Sequence, residues 1–328
     1  MTADPKTPET PADPAAAEPR LQHFPVPFFA AVMGLSGLTL ALHAAGMQTI
    51  SRTALVATVL VFAVLAAVYA LKAMRYPQAI LAEWRHPVKL AFFPAVSISL
   101  LLIATALQPV SQDLARLVWL IGALGQGILT LAVLSNWIGH RAFQTIHISP
   151  AWFIPAVGNV VAPVAGVQLG FPETSWVFFS AGLVFWIVLL VLVMNRLVFH
   201  DPLPGRMVPT LAILIAPPAV GFLAWLQLNG DVIDAFARIL YGAALVFTAL
   251  AATQVAKLRG LPFALSWWAL SFPVAALTIA TLRFGTLISS PLHTLAGNVG
   301  VGVLCLIVGG LVYRTVRAVL RGEICQPE

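Results

Sequence analysis

The sequence predicts an all-α integral membrane protein of ten transmembrane helices, paired as five helical hairpins around a central pore, odd helices inside and even helices outside. Three observations predict it. Hydrophobic residues fill 60% of 328 positions and charged residues 9%, with a mean hydropathy of +0.93, against about 25% charge in soluble domains. Lysine and arginine gather in alternate loops, which is the signature of a chain threading a bilayer. Prolines fall in alternate apolar runs, which separates one set of helices from the other.

Residues 1–22 are rich in Pro, Ala, Thr and acidic side chains and are expected to form a disordered cytoplasmic tail. They lack the basic-then-apolar order of a secretory signal. Residues 23–321 are expected to form the ten-helix transmembrane domain. Its spans are expected at 26–46, 53–74, 88–109, 114–138, 150–169, 175–198, 207–228, 232–256, 264–283 and 294–316, each long enough to cross about 30 Å of hydrocarbon. Residues 322–328 are a second cytoplasmic tail. Of the eighteen Lys and Arg, fourteen fall in the tails, in the loops after even spans and in the C-terminal segment, and four on the other side. The positive-inside rule therefore puts both termini in the cytoplasm.

The odd spans hold Pro27, Pro94, Pro155 with Pro163, Pro217 with Pro218, and Pro273, at intervals of 55 to 67 residues; the even spans as drawn hold none. That spacing is one helical hairpin per period. The competing reading is a scatter of prolines, which membrane helices tolerate. Five helices about 10 Å apart lie on a ring of radius about 8.5 Å, leaving a lumen of about 3.5 Å radius. Small residues such as Gly34, Gly37 and Gly158 suit its wall. Asn159 and Ser271 either line it or tie helices together by hydrogen bonds.

One stretch, Ser266-Trp267-Trp268-Ala269-Leu270-Ser271-Phe272-Pro273, sits within an apolar run of about twenty residues. Pro273 removes a donor and frees the carbonyl of Ala269, so the helix is expected to bend or break there. Loosened backbone at membrane depth must be covered by protein or a water-filled cavity, so this face is expected to look inward. Phe272 beside the bend reads as a plug, although a mid-span phenylalanine more often only packs.

Nothing reads as a catalytic or metal site. The seven histidines show neither H-E-x-x-H spacing nor a nearby cysteine pair, and Cys305 and Cys325 form no framework. No cofactor and no nucleic-acid partner is expected, because the formal charge of +6 reports topology.

Several ordered motifs resemble one family: Phe24-Pro25-Val26-Pro27-Phe28-Phe29 leading to Gly34, Glu83-Trp84-Arg85-His86-Pro87-Val88-Lys89 running into Phe92-Phe93-Pro94, Val157-Gly158-Asn159, Ala216-Pro217-Pro218, and Trp267 through Pro273. Together they resemble the tellurite-resistance/dicarboxylate transporter (TDT) family, which includes TehA and the plant guard-cell slow anion channels. The resemblance implies ten helices in five hairpins, a pore in each protomer, a homotrimer in a bacterial inner membrane, and passive conduction of small monovalent anions. It also implies that the phenylalanine before the proline of the ninth helix is the gate, here Phe272. Only a short tail precedes the first span, so the kinase control exerted through the long extensions of the plant members is not implied.

The alternative is a secondary exporter of a dicarboxylate, sulfite or tellurite-type oxyanion. Asp113, Glu173, Asp201, Asp231 and Asp234 all lie near span ends, which weakens proton coupling. Sodium held by freed carbonyls remains open. Anion preference would come from bases at the mouths, with Lys89 and Arg283 as candidates; ordinary snorkelling at helix ends is the competing account.

Overall fold

The computed structural model describes residues 20–139 and 143–326. Most of the expected N-terminal tail, residues 1–19, and the loop residues His140 and Arg141 lie outside them. The described residues are helical throughout, with no strand. Nine helical segments are long and apolar enough to cross a membrane. The expected fifth span differs: it runs Pro150–Gly166, shorter than the others, and is broken into α6 (Phe153–Val157), a 3-10 turn (Gly158–Val161) and α7 (Ala162–Gly166). Pro155 and Pro163 each withdraw a backbone donor there, so no single α-helix can run through.

The inner spans share one construction. A 3-10 segment comes first and the α-helix follows: Val26–Phe28 before α1 (Phe29–Ala44), Lys89–Phe92 before α4 (Ala95–Leu107), Gly205–Ile215 before α9 (Ala216–Leu228), and Leu265–Leu270 before α11 (Ser271–Leu287). Pro217, Pro218 and Pro273 stand in the first turns of α9 and α11, and Pro94 immediately precedes α4. The first-turn amides of a helix have no intrahelical acceptor, so a proline costs no bond there. Of the bend or break expected at Pro273 the structure shows the break, a 3-10 segment ending and an α-helix beginning two residues before the proline.

The other long spans are α-helical throughout: α2 (Gln48–Arg75), α5 (Gln112–Gly139), α8 (Pro172–Phe199), α10 (Ala235–Thr253) and α12 (Pro291–Leu320). Burial separates the two sets. The most apolar windows of the four long odd spans are 56% to 78% buried, whereas those of α2, α5, α8, α10 and α12 are 11% to 39% buried. Exposed Leu, Val and Ile on the second set suit contact with acyl chains. Around the interior, α1 packs on α4, α4 on α7, α7 on α9, α9 on α11, and α11 back on α1. The ring of contacts therefore closes.

Small residues and polar side chains hold this ring, as expected where lipid supplies no hydrophobic drive between helices. A Cβ built on Gly34 would fall 2.1 Å from Ser271 Oγ, and one on Gly37 would fall 2.7 Å from Ala275 Cβ. α1 and α11 can approach this closely only because those positions lack side chains. Gly34→Val is accordingly expected to lower stability by about 1–3 kcal/mol through overpacking, seen as a lower unfolding temperature in detergent. An unchanged temperature would show that Ser271 and Trp268 can step aside.

Carbonyls loosened by the broken span find partners on α5. Thr130 Oγ1 donates to Pro155 O at 2.9 Å, Trp119 Nε1 to Ala162 O at 2.9 Å, and Gln126 Nε2 to Pro155 O at 3.3 Å. Lipid cannot do this at membrane depth, and here protein does. A short amphipathic helix, α3 (Pro77–Arg85), escaped the sequence reading because its single apolar face is too short to register as a span.

Candidate functional site: two cavities meeting at Phe272

Two cavities lie within the ring of α1, α4, α6–α7, α9 and α11. The narrow one, about 60 Å³, lies among the 3-10 segments and helix starts, with Phe92, Ile154, Gly158, Ile213, Pro217, Ala269 and Pro273 in its wall. Its lining side chains are apolar apart from the indole N–H of Trp268, which Thr315 Oγ1 engages at 2.9 Å. The wide one, about 600 Å³, lies among the helix ends and carries polar groups: His43, Thr105, Gln108, Gln112, Gln168, Gln227, Arg283 and Thr286. Val161, Val220 and Phe272 belong to both walls. Phe272 is the one large side chain of the three.

The candidate residues divide accordingly. Phe272 borders both cavities, Gly37 and Arg283 the wide one, and Gly158, Pro217 and Pro273 the narrow one. Gly34, Pro94, Asn159, Pro218, Ser271 and Lys89 line neither. Asn159 takes the second of its two expected roles, bonding to α5, whereas the Ser271 hydroxyl bonds within its own span. Asn159 Nδ2 donates to Ala156 O at 2.7 Å and Thr130 Oγ1 at 3.1 Å, and Ser271 Oγ donates to Trp268 O at 2.6 Å while seated against Gly34. Lys89 is half-buried in its 3-10 turn, away from both hollows.

Arg283 is not a bare charge. Its Nη2 lies 2.5 Å from Asp231 Oδ2, with 39% of each side chain exposed. At the opposite end of the bundle a second pair is fully enclosed: Lys72 Nζ lies 3.1 Å from Glu83 Oε2, with side chains 2% and 7% exposed. Lys72 also donates to Phe24 O at 2.8 Å, Tyr69 Oη to Glu83 Oε2 at 2.8 Å, and Val26 N to Glu83 Oε1 at 3.3 Å. Sequence reasoning counted Lys72 as a loop base and missed this cluster. The available signal was Glu83, an acid standing beside an apolar helix in a segment otherwise basic.

The voltage-dependent anion channel model, SLAC1, matches residues 23–316, which spans both cavities and every helix described above. The chain belongs to the SLAC1 family. Among curated SLAC1-type relatives, the S-type anion channel SLAH3 of Arabidopsis thaliana is 29% identical over 255 residues, 77% of this chain and 40% of its own length. The Tellurite resistance protein TehA homolog of Haemophilus influenzae is 28% identical over 273 residues, covering 80% and 82% of the two chains. An uncharacterized transporter of Methanocaldococcus jannaschii, MJ0762, is 28% identical over 291 residues, covering 80% and 84%. The chain thus spans well under half of SLAH3 and most of the other two. Membership in the SLAC1 family bears out the resemblance drawn from the ordered motifs, and makes this a multi-pass membrane protein of an anion-transporting family.

Proposed function

We propose that the chain is a gated channel for small monovalent anions, with five helical hairpins around a pore in each protomer and Phe272 as the gate. One observation carries the reading: Phe272 stands where the wide polar cavity meets the narrow apolar one, inside a closed ring of five inner spans. A constriction walled by apolar groups holds water poorly, so it closes by dewetting as well as by occlusion. Neither cavity wall carries a lysine, and the one arginine is ion-paired, so an anion would be bound weakly enough to leave. The narrow cavity faces the cytoplasm in this reading, and the wide one faces outward. Three copies would associate through the exposed apolar helices, each keeping its own pore in a bacterial inner membrane.

The second reading, a carrier of organic acids or oxyanions, draws on the wide cavity, which is roomy enough for a dicarboxylate, and on relatives named as a transporter and a tellurite-resistance homolog. Recordings from purified protein in planar bilayers separate the two. A channel gives currents whose reversal potential follows the anion gradient across chloride, nitrate and carboxylate substitutions. Accumulation of cargo against its gradient when a second ion is supplied would establish the carrier and remove the channel.

A further inference from the structure

We propose that Asp231 sets the electrostatic strength of the wide vestibule by masking the charge of Arg283. The inference rests on the channel reading given above and adds a specificity-determining residue to it.

Among the described residues lining the wide cavity, Arg283 carries the one permanent charge; His43 is the other side chain there able to bear one. An anion approaching from this side therefore meets whatever field Arg283 projects. Asp231 does not line the cavity, yet its Oδ2 lies 2.5 Å from Arg283 Nη2. With the carboxylate in place the pair is close to neutral at the distance of a permeating ion. Nearby charges have other occupations: Asp234 caps α10 through the Ala237 amide and accepts from Trp225 and Asn229, and the Arg238 guanidinium lies over the Phe284 ring.

The backbone is bent to place this carboxylate. Gly230 and Asp231 sit at φ +67° and +63° in the turn between α9 and α10, and Asp231 N donates to Leu226 O at 2.7 Å. A non-glycine residue in that left-handed region is uncommon. Asp231 Oδ1 is buried without a hydrogen-bond partner among the described residues. Glycine and asparagine accept the same backbone angles, so the turn by itself does not call for an acid. Among the described residues the side chain that bonds the Asp231 carboxylate is Arg283.

The test uses Asp231→Asn and Asp231→Gly, both of which accept the same backbone angles and so keep the turn. In bilayers at about 10 mM salt, where the Debye length is about 30 Å, anion current entering from the wide-cavity side should rise about threefold in both variants. At about 1 M salt, where that length is about 3 Å, both should match the unsubstituted protein. Arg283→Gln should lower the low-salt current by baring the Asp231 carboxylate, and combining it with Asp231→Asn, which leaves no charge there, should return the current to about the unsubstituted level. Low-salt currents unchanged in both Asp231 variants, or changed equally at both salts, would overturn the assignment while leaving the channel reading intact. Absence of anion current in both the unsubstituted protein and Phe272→Ala removes both.

Discussion

Phe272→Ala should raise anion current by about tenfold or more at every salt concentration, because it replaces a ring at the junction of two cavities with a methyl group. The neighbours cannot refill the space: Val161 and Val220 are too short, and Gly37, whose notional Cβ lies 3.6 Å from the Phe272 ring, contributes no side chain. Removing the ring joins about 60 Å³ of dry hollow to about 600 Å³ of polar vestibule. Phe272→Leu should fall between, since it keeps the apolar surface and loses breadth. Single-channel recording on protein with an unaltered elution profile is the measurement. Equal open probability and conductance in the alanine variant would remove Phe272 from the conduction path.

The largest loss of stability is expected from Lys72→Met, about 3–5 kcal/mol, because it strands the Glu83 carboxylate in an enclosed site. That pair fastens the start of the first span, through Phe24 O and Val26 N, to α2 and α3. Glu83→Gln alone should cost less, since the amide oxygen still accepts from either Tyr69 or Val26 and the Lys72 ammonium keeps Phe24 O. The double substitution Lys72→Met with Glu83→Gln should recover much of the loss, as no uncompensated charge remains. Thermal unfolding of the four proteins in one detergent gives the coupling directly. Additive losses would mean that water reaches the pair.

Much of this was legible in the chain. Proline placement distinguished the buried spans from the exposed ones before any coordinates, since a backbone with missing donors must be enclosed by protein. The motifs behind the family resemblance meet in space: Glu83 from one accepts the amide of Val26 from another, and Ser271 from a third lies against Gly34. What escaped was geometry that composition does not encode. Nothing in the residue types distinguishes a proline that kinks a helix from one that begins it, so the 3-10 openings were invisible. The site residues were sorted imperfectly for a related reason. Gly34 and Gly37 are one helical turn apart on one face of α1 and both lie against α11, yet only the second borders a hollow, because the two stand at different depths along the span. Arg283 looked like bait for anions because its partner Asp231 is 52 residues away in sequence.

The 3-10 openings also settle a question of reach. A 3-10 segment climbs about 2.0 Å per residue and an α-helix about 1.5 Å. The 24 residues of Gly205–Leu228, eleven of them 3-10, therefore extend about 41 Å, while the 28 residues of α8 extend about 42 Å. This inner span and its outer neighbour thus cover one thickness although the inner one spends four fewer residues on it.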